Sequence, residues 1–179
     1  MTESENELIP LRKVPLEEYL AICISFFHEI GIETRFEKLD EPCFLPGLSI
    51  RNGIIIIDKE ALSYPGDILH EAGHIAVVPA AERNTLSAAV IEKRDQREAE
   101  EMMAIAWSYA ACVHLGLNPY VVFHDDGYKG GGSYIADIFN NKNYFGLPML
   151  QWKGMTLDEA HAVGQNLPAY PHMIRWVLD

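Results

Sequence analysis

Apolar residues recur at helical spacing through residues 15–30. Leu16, Tyr19, Leu20, Cys23, Phe26, Phe27 and Ile30 fall on one face, and Gly31 follows as a stop signal. This predicts an amphipathic helix. A turn-rich connector, Glu41-Pro42-Cys43-Phe44-Leu45-Pro46-Gly47, leads to two short strand-like runs, residues 48–50 and Ile54–Ile57. Between them Asn52-Gly53 is the dipeptide that favours a tight hairpin. A second helix is expected after Ser63-Tyr64-Pro65-Gly66-Asp67, bounded by Pro79. A third spans residues 94–115 and stops at Gly116, with Pro119 beyond. Residues 118–152 read as loop-rich. Two short helices close the chain, residues 157–165 and 171–178, the first with a capping box from Thr156 to Glu159. The pattern describes one α+β domain over residues 1–179, mainly helical, with a small mixed or antiparallel sheet beside the second helix. It contains no repeat and no long linker, and residues 1–10 form a flexible lead-in.

The second helix carries a polar stripe that its surroundings make unusual. Asp67, His70, Glu71 and His74 share one face at spacings i, i+3, i+4 and i+7. The rest of the helix is Ile68, Leu69, Ala72, Gly73, Ile75 and Ala76, running on into Val77 and Val78. Such a helix is buried, and its ionisable stripe then needs partners, because unpaired buried charge is costly. His70-Glu71-Ala72-Gly73-His74 is the H-E-x-x-H pattern of zinc peptidases. At about 100° per residue the two imidazoles stand one turn apart and about 40° offset, able to meet one ion at about 2.0–2.1 Å. Glu71 sits one position round, displaced from the ligand direction and placed as a general base. The bland alternative, two incidental histidines on a helix, leaves the buried polar stripe unexplained.

A catalytic zinc takes a third protein ligand and keeps one position open. The sequence offers Glu98-Ala99-Glu100-Glu101, beginning 24 residues after His74. Glu98 and Glu101 are three apart and share a face, whereas Glu100 points elsewhere. Glu92, Lys93, Arg94 and Glu100 read as a solvated charged face. Because the helix turns apolar at Met102, Glu98 and Glu101 stand where it enters the core. One of them closes the site, and Glu98 is favoured. Glu101 and Asp67 remain as an alternative ligand or as outer carboxylates holding the histidines' second nitrogens.

Charge and composition narrow the partners. With 14 basic and 26 acidic residues the net charge is −12, which argues against nucleic acid, whose phosphates need a clustered positive field. The N-terminal lead-in has neither a basic nor an apolar targeting region. The longest apolar runs are too short to cross a bilayer. Cys23, Cys43 and Cys112 are odd in number and widely spaced, fitting reduced thiols and a cytoplasmic setting. His28, His114, His161 and His172 have no partner at ligand spacing and read as structural, and Trp107, Trp152 and Trp176 read as core residues.

Residues 54–115 resemble the ImmA/IrrE-type zinc metallopeptidases of the gluzincin clan. The resemblance rests on the Asn-Gly hairpin, the short linker, His70-Glu71-Ala72-Gly73-His74, and Arg97-Glu98-Ala99 opening a helix. It implies a zincin-like fold, zinc as the cofactor, Glu98 as the third ligand, and a strand flanking the cleft that pairs with an extended peptide; Ile54, Ile55, Ile56 and Ile57 are the strand so implied. There are departures. Glu100 stands where the family carries asparagine. Met102 stands where thermolysin-like relatives carry an aspartate that orients a histidine. Nothing after Leu115 matches, and no helix-turn-helix domain is attached.

The chemistry expected is hydrolysis of a peptide bond in a peptide or protein substrate. Zinc would activate water, and Glu71 would move the proton to the leaving nitrogen. A second donor to the oxyanion is needed, and Tyr128, Tyr134, His124 and Tyr64 are the residue types available. Tyr128-Lys129-Gly130-Gly131-Gly132-Ser133 reads as a lid or a surface loop. The competing expectations are a non-proteolytic zinc-binding regulatory protein and an acidic partner-binding module of a mobile element. Retention of Glu71 speaks against the first, since a structural metal site has no use for a base.

Overall fold

The computed structural model describes residues 14–40 and 43–179; the lead-in expected at residues 1–10 lies outside them. Helix α1, Leu16–Glu29, buries Tyr19, Leu20, Cys23, Phe26 and Phe27 as its apolar stripe requires. Three short strands follow: β1, Thr34–Phe36; β2, Leu48–Arg51; and β3, Ile54–Ile57. Asn52 and Gly53 both adopt left-handed backbone, φ 52° and 74°, so the β2–β3 turn is the tight hairpin that this dipeptide favours. Strand β1 was not expected, because three residues with an exposed, unalternating pattern leave no periodic signal. The sheet order is β1-β3-β2, with β1 parallel and β2 antiparallel to β3, so the sheet is mixed.

Helix α2, Asp67–Ala76, carries the motif. Ile68, Leu69, Ala72, Ile75 and Ala76 are buried around it. Short helices α3, Ala80–Arg83, and α4, Ala88–Glu92, connect it to the long α5, Arg97–Leu115. The sequence pattern merged the approach to α5 with α5 itself. In fact Arg94 stands outside the helix and turns back to ion-pair with Glu100 at 2.6 Å and Glu82 at 2.9 Å. Glu100 is therefore buried, not solvated as its charge suggested. Helix α5 ends on Gly116 in left-handed conformation, as expected.

The region after Leu115 is more ordered than its loop-rich composition implied. It folds helices α6, Gly132–Asn140, and α7, Leu147–Trp152, before α8, Glu159–Gln165. The cap of α8 is Asp158, which accepts from the His161 amide at 2.8 Å; Thr156 instead donates to the His172 carbonyl. Residues 171–178 form no helix, because tertiary partners take their backbone groups. Ile174 and Leu178 donate to Met155 and Ala76, and Trp107 donates to the Trp176 carbonyl. Trp107 is fully buried, but Trp152 is 80% exposed and is not a core residue. Among the described residues no disulfide forms, and no helix is long and apolar enough to cross a membrane.

Candidate metal centre

Helices α2 and α5 cross where both carry small residues. A Cβ on Gly73 would lie 2.9 Å from the Ala104 carbonyl oxygen, so only glycine permits this approach. About one turn before Gly73 on the same helix, Leu69 accepts from Ser108 at 3.4 Å. This contact sets the rotation of α5 about its axis. Ala104 and Ser108 face α2, and Glu101, one turn before Ala104, faces it too.

The consequence is a triangle of donors. His70 and His74 present their Nε2 atoms to each other at 3.1 Å. Glu101 oxygens lie 3.5 Å from the His70 nitrogen and 3.3 Å from the His74 nitrogen. Three donors on one tetrahedral ion at about 2.0–2.1 Å stand about 3.3 Å apart; the two legs here run to different Glu101 oxygens, so a small turn of the carboxylate would bring one of them into the third position. All three ligand atoms lie within 4.8 Å of one another.

The third member differs from the one favoured in the sequence. Glu98 occupies the first turn of α5, exposed, about 60° round the helix from Glu101 and away from the histidines. The spacing of the two glutamates could not choose between them, because the choice depends on how α5 is rotated. The small face Ala104–Ser108, which continues the Glu101 stripe, was the signal that could have done so.

Burial and charge act on each group. Desolvation, helped by His74, drives the His70 pKa down to about 3, so its imidazole is neutral. Burial opposes charge on His74 too, but Glu101, Glu71 and Glu100 outweigh it and raise its pKa. Burial likewise opposes charge on Glu101, yet His74, His70 and Arg97 hold its carboxyl down at about 2. Glu71 is half-buried beside the triad, and desolvation leads in raising it to about 7.

The surrounding residues separate into near and far. Asp67, expected to support a motif histidine, instead contacts His124 Nε2 at 2.9 Å. The other His124 nitrogen, Nδ1, accepts from the Gly127 amide at 3.1 Å. The proton must then sit on Nε2 and be donated to Asp67. Tyr64 stacks on the same imidazole with ring centroids 4.1 Å apart. The buried His70 Nδ1 has no partner among the described residues. Of the proposed oxyanion donors, Tyr128 packs edge-on against His70, with centroids 5.5 Å apart, while Tyr134 is 68% exposed and His124 is committed to Asp67.

Ile54–Ile57 is not placed as a substrate strand. It is the central strand, hydrogen-bonded on both sides, and so has no free edge to offer a peptide. Its four consecutive isoleucines are a buried-strand signature, which also argued against an edge. Comparison of the chain with protein-family models, curated proteins and solved structures finds no match.

Proposed function

We propose that this chain is a zinc-dependent peptidase of the zincin type, similar in its motif helix to the ImmA/IrrE-type enzymes. The observation that carries the reading is the convergence of His70, His74 and Glu101, whose ligand atoms all lie within 4.8 Å of one another, with Glu71 beside them. Two imidazoles, both neutral once a metal displaces the proton that the neighbouring carboxylates favour on His74, and one carboxylate suit zinc, leaving a net positive centre. Bound there, zinc would supply Lewis acidity toward a carbonyl oxygen and toward water. The ligand set departs from the resemblance, which implied Glu98, and assigns that role to Glu101.

The chain's own residues account for the remaining work. Glu71 lies next to the ligands yet off their direction, where it can accept a proton from the attacking water and return it to the leaving nitrogen. The apolar packing of α2 excludes water from the back of the triad. An extended peptide can join the sheet only at an outer edge. The β2 edge is the one beside α2, and Ser87 bridges it at Arg51.

The test pairs the parent with Glu71→Gln, each loaded with one equivalent of zinc, on a mixed peptide library read by mass spectrometry. The reading predicts cleavage by the parent and, in the variant, equal zinc content with cleavage reduced at least about 100-fold. A zinc-replete parent that cleaves nothing, or a variant that cleaves as well as the parent, would overturn it. The first of these outcomes would favour a metal-binding regulatory protein.

A further inference from the structure

A metal-binding imidazole is ordinarily held in orientation by a hydrogen bond from its other ring nitrogen, often to a carboxylate. His70 departs from this: its Nδ1 is buried and has no partner among the described residues. Its ring is held by packing. It stands between His74, with centroids 4.6 Å apart at 81°, and Tyr128, with centroids 5.5 Å apart at 81°. Edge-to-face contact is a favoured geometry for aromatic pairs, and it fixes the plane of the imidazole as well as its place. The Tyr128 hydroxyl has no partner among the described residues either, so the ring is the part that acts on His70.

The Tyr128 ring is itself held from two sides. Behind it lies Phe123, with centroids 5.6 Å apart; Phe123 is fully buried and stacks on Phe139 at 6.3 Å. Next to it in the chain is Gly127, which His124 clasps. The Gly127 amide donates to His124 Nδ1 at 3.1 Å, and a Cβ on Gly127 would come within 3.1 Å of the imidazole Cε1. His124 in turn donates from Nε2 to Asp67 at the start of α2, and Tyr64 lies flat on the imidazole with 8° between the planes. The clasp works against a local cost. Tyr128 and Lys129 both have left-handed backbone, φ 51° and 57°, a region that side chains with a Cβ disfavour.

We propose that His124 is a positioning residue of this metal centre. By holding Gly127 to the start of α2 it seats the Tyr128 ring on His70, and that ring keeps the imidazole with Nε2 toward the triad. The inference rests on the reading that the triad binds a metal. His124 acts on the centre only through Tyr128. The two residues are therefore one unit, and removing either removes the same contact on His70. Freed from His124, the strained turn relaxes and carries the ring away.

Zinc affinity of the full chain, measured by competition with a chromogenic chelator, tests this in the parent and its variants. Tyr128→Phe keeps the ring and should bind as the parent does. Tyr128→Leu keeps apolar bulk without a flat ring and should bind about tenfold more weakly, the lower end of what loss of an orienting partner costs a metal site. His124→Gln keeps a donor for the buried Asp67 but removes the acceptor for Gly127, and should show a similar loss. The double variant His124→Gln/Tyr128→Leu should lose no more than Tyr128→Leu alone, whereas two independent structural effects add. Parental affinity in Tyr128→Leu or His124→Gln, a Tyr128→Phe as weak as Tyr128→Leu, or losses that add in the double variant overturn the proposal while leaving the metal reading intact. A parent that takes up no more zinc than His74→Ala overturns both.

Discussion

Replacing Gly73 with alanine would put a methyl group 2.9 Å from the Ala104 carbonyl oxygen, 3.1 Å from its Cα and 3.3 Å from its Cβ. Two of these three atoms are backbone, so no side chain can swing aside. The nearest contact falls short of the ordinary 3.4 Å by about 0.5 Å, and α5 must move away from α2 by that amount at this level. Stability would change little. Relief of a helix-interior glycine is worth up to about 1 kcal/mol, against about 1–3 kcal/mol for overpacking, for a net loss of about 0–2 kcal/mol. The donor triangle would change more selectively. His70 and His74 share α2, so their 3.1 Å separation is kept, while the two legs to Glu101 at 3.5 and 3.3 Å lengthen. Metal sites tolerate about 0.2 Å in ligand distance, so zinc affinity should fall by about 10- to 100-fold. Competition against a chromogenic chelator measures the affinity, and urea unfolding of the metal-free protein measures the stability. A Gly73→Ala protein that binds zinc as tightly as the parent would show that this close approach does not place Glu101.

Three further outcomes follow from the same structure. Glu101→Ala should lose zinc at least about tenfold while Glu98→Ala binds as the parent does, and chelator competition on both separates the two glutamates directly. Arg94→Ala leaves the buried Glu100 carboxylate without its cation, and chemical denaturation should show a loss of about 3 kcal/mol. Burial pushes the Cys23 thiol up to about 12 from an ordinary 9.0 and raises Cys112 as well. Raised folded pKa values mean that the folded protein holds protons which the unfolded chain releases. Stability is therefore full below pH 9 and declines as pH rises from 9 toward 12. At pH 10 the loss is about 1.4 kcal/mol per thiol. Unfolding at pH 8 and 10 should show it in the parent, and Cys23→Ala/Cys112→Ala should lack it.

The legible parts of this chain were those whose signal is local. Asn52-Gly53 dictates its own backbone, the α1 stripe its buried face, and the spacing from His70 to His74 a shared side of a helix. What was missed depends on contacts between distant segments. Glu98 and Glu101 are equivalent until Gly73 and Ala104 fix how α5 is turned. Ile54–Ile57 reads as a strand whose unbroken apolar run suits a buried position, but the neighbour that makes it central is β1, which has no periodic signal. Helix α6 hides behind the three glycines that precede or open it, although Ile135, Ala136 and Phe139 are spaced to pack. The tail at residues 171–178 has helical spacing but gives its hydrogen bonds to Met155 and Ala76.

Metal binding by this chain depends on the convergence of His70, His74 and Glu101. A crystal structure of the zinc-loaded protein, with anomalous scattering to locate the metal, should show one ion held by His70 Nε2, His74 Nε2 and a Glu101 carboxylate oxygen. Zinc bound elsewhere with the triangle empty, or zinc on the two histidines with Glu101 turned away, would contradict it.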